Sequence, residues 1–262
     1  MVRIGRSDPK GRSDPRVALL QEFSRAFVPG KAKIETEQCG FAYLKELLSG
    51  DATLEYGELT STRLLHKYKI VDLPDYRMEE LLQQHLLKEC NVCRYFGTDQ
   101  SDVLCFNMDN NHKLNSTVII PEMSLALDAL RRCLQDLGCE PLIVASGRGY
   151  HVWLRLDGPV DNSLLYSFMI RAAACALLAL RMGGYDHHAI KFSFYPDLKV
   201  NDVVSLRLFG SQHAKNQVFS YVMTPEGLLD EEASWTYFED FVRNKVLSAA
   251  KFRAALDELL KV

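Results

Sequence analysis

The sequence predicts a layered fold of the α/β (α+β) class, and three stretches carry that expectation. Residues 103–109 alternate, with Leu104, Phe106 and Met108 on one face and Val103, Cys105, Asn107 and Asp109 on the other, which is the period of a strand. Residues 122–137 repeat Leu127, Leu130, Leu134 and Leu137 at helical spacing and stop at Gly138, where a left-handed cap is common. Residues 142–154 are two apolar runs broken by Ser146, Gly147, Arg148 and Gly149, a strand, a tight turn and a second strand. Strand, helix, strand and further alternation of the two is the order of a mixed layered fold.

The elements divide the chain into four parts. Residues 1–16 hold a duplicated Gly-Arg-Ser-Asp-Pro and read as a disordered basic arm, because so polar a segment buries too little surface to offset its ordering entropy. Residues 17–100 read as mainly helical. Leu19, Leu20, Phe23 and Phe27 share a side, Pro29-Gly30 interrupts them, Gly50-Asp51 ends a second helical piece, a loop or short strand runs through Leu59, and residues 76–90 form another helix. Residues 101–225 form the core, with an alanine-rich helix capped by Asp161 or Asn162 and ended by Gly183-Gly184, then strands at 203–209 and 218–223. Residues 226–262 are expected to be helices packed on that core.

Composition narrows the classes. A chain of 262 residues, 47% hydrophobic and 25% charged, has ample length for a core, and a formal net charge of −3 carries no global nucleic-acid signature. Any such binding must come from a local patch. The seven cysteines are scattered and polar repeats follow Met1, so a reducing, cytoplasmic setting is expected. Residues 164–182 match a membrane span in length, but Arg171 and the alanines favour a buried helix, and no membrane partner is expected.

Three stretches carry chemistry. Asn107 and Asp109 project from one strand face about 7 Å apart, close enough to share one or two hard cations, or simply to end a strand in solvent. Ser146, Gly147, Arg148 and His151 combine a hydroxyl, backbone amides, a guanidinium and an imidazole, the groups a polyphosphate needs; the plainer reading is a glycine hairpin with an incidental histidine. Arg207, Ser211, His213 and Lys215 follow on a strand and turn, and Asp197 stands upstream as a further carboxylate. Cys90 and Cys93, with His85 or His112, are half of a zinc site or two semi-buried thiols. Asp186-His187-His188 is a polar loop, or the centre of an unrelated hydrolase.

Taken in order, Asn107-Met-Asp109, Ser146-Gly-Arg-Gly-Tyr-His151, and Asp197-Leu-Lys-Val200 with Arg207-Leu-Phe-Gly-Ser-Gln-His213 make the chain resemble the archaeo-eukaryotic primase superfamily, the primases and primase-polymerases. The resemblance implies a two-layer primase-polymerase core with a helical N-terminal extension. It also implies a template-dependent nucleotidyltransferase that makes or extends primers from nucleoside triphosphates on single-stranded DNA. By that resemblance Asn107, Asp109 and Asp197 hold Mg²⁺ or Mn²⁺ for two-metal catalysis. Ser146, Gly147, Arg148, His151, Arg207, Ser211, His213 and Lys215 grip the triphosphate, and His151 belongs to the catalytic set with the acids. A helicase or a longer parent protein is the implied partner for unwinding.

The chain departs from the family pattern where Asn107 stands for an aspartate and Phe209 for a proline. The first removes a metal-binding charge, so the alternative is a weakened or lapsed module that binds nucleotide or nucleic acid inside a larger replication or defence complex. The third acid is Asp197 by spacing, with Asp186 and Asp202 as competitors.

Overall fold

Asp14 and Pro15 open the first helix, and they do so with two start signals side by side. The Asp14 carboxylate accepts from the Arg16 N–H at 2.9 Å, and Pro15 takes a first-turn position where no amide is needed. The computed structural model of the chain describes residues 14–29, 31–36, 53–61, 64–72, 75–111, 120–198, 205–212 and 219–261. Of the expected arm, residues 1–13 lie outside that set; its last residues are helix.

The elements run α1 (Pro15–Ser24), β1 (Lys31–Thr36), β2 (Thr53–Ser61), β3 (Leu64–Asp72), α2 (Asp75–Leu86), β4 (Asn91–Tyr95), β5 (Gln100–Asn110), α3 (Pro121–Asp136), β6 (Leu142–Ala145), β7 (Gly149–Asp161) and α4 (Asn162–Met182). A short 3-10 turn (His187–Ala189) follows. Then come β8 (Ile190–Tyr195), β9 (Ser205–Arg207), β10 (Tyr221–Thr224), β11 (Gly227–Leu228), α5 (Glu231–Asn244), β12 (Val246–Leu247) and α6 (Ala249–Leu260).

The mixed α+β class is borne out, but the stretch read as mainly helical carries four strands. β1 lies inside a sheet ordered β2-β3-β1-β4-β9, with β3 and β4 on its two sides. Pro29 ends the helical pattern, and Lys31–Thr36 alternates with Ala32 and Ile34 buried. Both partners of β1 are remote in sequence, so pairing across the sheet decided what local propensity left open. β9 joins the same sheet by pairing with β4, Cys93 opposite Arg207. A boundary at residue 100 therefore divides a sheet that the fold keeps whole.

The second sheet is ordered β11-β10-β6-β7-β5-β8, with β12 running parallel to β7. One face buries Leu104, Phe106, Met108, Val152 and Leu154 against Met123, Leu127 and Leu130 of α3, Phe168 and Met169 of α4 and Phe252 of α6. The other face buries Val103, Cys105, Leu142, Val144 and Trp153 against Leu20 and Phe23 of α1 and Phe238 and Phe241 of α5. Trp153 stacks on Phe96, ring centroids 6.3 Å apart, and Phe23 meets it edge-on at 5.8 Å.

α4 is long and apolar enough to cross a membrane by length and composition. Here it lays Leu165, Phe168, Met169, Ala172, Ala176 and Leu180 on the core. Neither expected cap residue caps it by side chain. Asp161 instead accepts from Gln100 at 2.9 Å, and Asn162 donates to the Gly97 and Thr98 carbonyls, tying the helix start to the turn before β5. Gly138 follows α3 with φ 73°, the left-handed position the sequence predicts.

Candidate functional site

β6 and β7 form the expected hairpin around Gly147-Arg148, closed by the Ser146 N–H donating to the Gly149 carbonyl at 2.8 Å. Gly147 has φ 91°, a region open to glycine and strained for most side chains. Arg148 is half-buried at the tip; Ser146 and His151 are buried.

The neighbours of His151 follow from register. Paired residues of antiparallel strands put their side chains on one face, with Cβ atoms about 5 Å apart. Val144 pairs with His151, His151 with Asn107 and Asn107 with Ser193, so these four form one row across β6, β7, β5 and β8. The next row toward the open end is Gly149, Asp109 and Lys191. The row behind is Leu142, Trp153, Cys105 and Tyr195. The Trp153 ring meets His151 edge-on at 6.1 Å and gives it an aromatic floor. The alternation read from the sequence thus puts Asn107, Asp109 and His151 on a common face, and it missed Ser193 and Lys191. β8 carried an alternating signal, but nothing local told that it flanks β5.

Within this face the Asn107 amide donates from Nδ2 to Asp109 Oδ2 at 3.0 Å. A hydrogen bond to a charged acceptor contributes about 1.5–3 kcal/mol. An aspartate at 107 would repel Asp109; the amide neutralises that repulsion with a donor. For Asn107 to offer its oxygen to a cation shared with Asp109, the amide has to turn and give up this bond. Among the described residues no group of three or more His, Cys, Asp or Glu side chains gathers in a way that holds a metal ion. The donor set therefore does not fit the pair of cations that the family resemblance implies.

Tyr195 marks where the two sheets meet. Burial raises its phenol to about 12, and the negative charges of Asp109 and Asp197 add to that rise. Asp197 follows Tyr195 by two residues, past the end of β8 that lies away from Lys191 and Asp109. Arg207 lies in the other sheet, opposite Cys93 of β4. Asp186 lies elsewhere: it is exposed and caps the 3-10 turn, accepting from the His188 N–H at 2.9 Å. That capping role also accounts for Asp186-His187-His188 without a hydrolytic centre. Asp202, His112, His213 and Lys215 lie outside the described residues.

The turn after Arg207 is held by residues the sequence reading left out or assigned elsewhere. Buried His85 accepts the Val92 N–H at Nδ1 (3.2 Å), which leaves Nε2 protonated to donate to the Phe209 carbonyl at 2.8 Å. Burial lowers the His85 pKa to about 4. Both ring nitrogens are engaged by backbone groups, so His85 takes a structural place rather than that of a zinc ligand. Asn91 clamps Gln212 through two bonds, Nδ2 to the carbonyl at 2.7 Å and Oδ1 from the N–H at 3.0 Å. Arg207 donates to the same carbonyl at 3.4 Å. Ser211, expected among the phosphate ligands, is buried with its hydroxyl 2.9 Å from that of Ser220.

Gly210 sits in this turn with φ 87°, where a Cβ would lie 2.7 and 2.9 Å from the Trp235 ring. Gly210→Ala combines a strained φ with a ring clash, and is expected to cost about 2 kcal/mol or more in urea denaturation. Two surface cavities of about 400 and 530 Å³ open beside α1, and none of the candidate residues lines either.

No family model and no curated protein matches the chain. Among solved structures it is similar to the polymerase domain of Ligase D from Mycobacterium tuberculosis, solved in complex with DNA. The TM-score is 0.45 and the identity 14%, over 99% of this chain and 95% of that one. At that distance no residue role passes from that domain to this chain.

Proposed function

We propose that the chain is a nucleotidyltransferase of the primase or primase-polymerase kind, taking nucleoside triphosphates and a single-stranded DNA template. One observation carries the reading: His151, Asn107 and Asp109 share a face beside the glycine turn of Ser146 and Arg148. Two sequence motifs that are far apart in the chain meet there, on side chains suited to a triphosphate.

In this reading the glycine turn, the Arg148 guanidinium and the Ser146 hydroxyl receive the phosphate oxygens, and His151 donates to them from the strand beside Asn107. Arg207, opposite Cys93 in the other sheet, is the second guanidinium of this reading. Positioning and charge stabilisation supply most of the rate in phosphoryl-group transfer, so a rigid hairpin with its imidazole held over Trp153 suits the task. Asp109 is the acid on this face, and Asp197, past the far end of β8, is the second acid of the reading. Cytoplasmic placement and a helicase or larger parent protein as partner belong to the same proposal.

The test is template-dependent extension of a labelled primer by the purified chain with Mn²⁺ or Mg²⁺. Product is expected from the natural chain, and a loss of about 100-fold or more is expected in His151→Ala, the scale of removing a charge-stabilising donor. No product under any nucleotide or cation condition would sink the enzymatic reading. A second reading, a lapsed module that binds nucleotide or nucleic acid within a larger complex, is favoured by the Asn107–Asp109 hydrogen bond. It wins if the natural chain binds nucleotide without extending a primer and Asn107→Asp gains extension.

A further inference from the structure

We infer that this site takes up one divalent cation, and takes it up as a complex with the incoming triphosphate instead of holding it beforehand. The inference rests on the nucleotide reading above and concerns the state in which substrate enters.

The lateral neighbours of Asp109 are set by register, and none adds negative charge. Gly149 on one side has no side chain, and Lys191 on the other brings an ammonium to the same face. Along the strand, the Asn107 amide is neutral and donates into Asp109 Oδ2. In the adjoining row the partners of Asn107 are His151 and Ser193. A cation approaching Asp109 in the free protein therefore meets one carboxylate already accepting a hydrogen bond and a neighbouring lysine. Divalent-cation affinity follows the number of charged ligands, and Mg²⁺ is commonly held by one or two carboxylates together with substrate phosphates.

The same face is well supplied for the phosphates themselves. Arg148 and His151 flank the turn, and Lys191, which opposes a bare cation, favours a cation wrapped in a triphosphate. The phosphate oxygens bring the charge that Asn107 does not. The substrate form this selects is a metal–nucleoside triphosphate, with the bare triphosphate and the bare metal both disfavoured.

The measurement is free Mn²⁺ by its electron paramagnetic resonance signal, with the full chain and a non-hydrolysable α,β-imido nucleoside triphosphate. Mn²⁺ alone is expected to remain largely free in the presence of the chain. Adding the analogue is expected to draw in one Mn²⁺ per chain beyond what the analogue binds alone. Asn107→Asp is expected to bind Mn²⁺ without nucleotide at least about tenfold more tightly than the natural chain. Mn²⁺ bound by the natural chain alone as tightly as by Asn107→Asp overturns the inference, as does uptake of two ions with the analogue. Either result leaves the nucleotide reading standing if the analogue still binds. Failure of the analogue to bind with or without Mn²⁺ overturns the nucleotide reading itself. The titration of the natural chain decides the matter alone should Asn107→Asp fail to fold.

Discussion

Gly149→Ala is expected to be the most damaging single substitution in the sheet of β5 and β7, with a loss of about 3 kcal/mol or more, the upper end for overpacking a rigid interior. A Cβ at this position would lie 1.9 Å from the Met108 carbonyl oxygen and 3.2 Å from the Met123 methyl. The clash is with backbone, so no side chain can swing aside. Relief requires β7 to move away from β5 at the Asp109–Gly149 pair, two residues from the His151–Asn107 pair. Stability and the site are therefore expected to fail together. Urea denaturation is the measurement, and Gly158→Ala is the internal control: it lies in the same strand with nothing within 4 Å of its Cβ position. That control is expected to be neutral or slightly stabilising, since alanine narrows the unfolded ensemble. Equal effects at the two positions would refute the close-approach argument.

Acidification is expected to weaken the fold through His85. Burial holds its imidazole neutral with a pKa of about 4 in the folded chain, against 6.5 for the free side chain. The unfolded chain thus binds the proton first, and stability falls as pH drops. The contribution is complete above about pH 6.5 and is lost by about pH 4, in total about 3 kcal/mol at 1.36 kcal/mol per unit. The natural chain and His85→Ala should therefore converge on acidification. At neutral pH the variant is weaker, because the Val92 N–H and Phe209 carbonyl lose their partner; toward pH 4 the gap should narrow by about that amount. A gap that stays constant from pH 7 to 4 would show that His85 is not buried neutral. The consequence reaches the site, since Phe209 follows Arg207 by two residues and its turn hangs on this imidazole.

The parts of the site legible in the sequence are those made by neighbours in the chain. The hairpin at Gly147-Arg148 needs only glycine at a left-handed φ and two apolar flanks, and the shared face of Asn107 and Asp109 needs only the period of two. The hydrogen bond between those two side chains was not legible, because alternation gives a face and not a contact. Lys191 and Ser193 were missed for a different reason: β8 is joined to β5 across about eighty residues of chain, and strand order carries no local signature. The same holds for β9, whose pairing with β4 brings Arg207 opposite Cys93 and makes Asn91 and His85 the supports of its turn.

The N-terminal strands make the complementary point. Leu19, Leu20, Phe23 and Phe27 do mark a helical face, but the helix ends at Ser24, and Lys31–Thr36 becomes a strand because β3 and β4 offer their edges to it. What the sequence by itself determined is the α+β class, the hairpin, the helix end at Gly138, and the polar strand faces that carry Asn107 with Asp109 and His151. All of these follow from periodicity and local backbone preference. Only the tertiary structure decided which strands flank β5, that the Asn107 amide spends a donor on Asp109, and that a buried histidine carries the turn after Arg207. Those outcomes depend on pairings and burial between residues far apart in the chain, where the free energy lies in contacts that no local window contains.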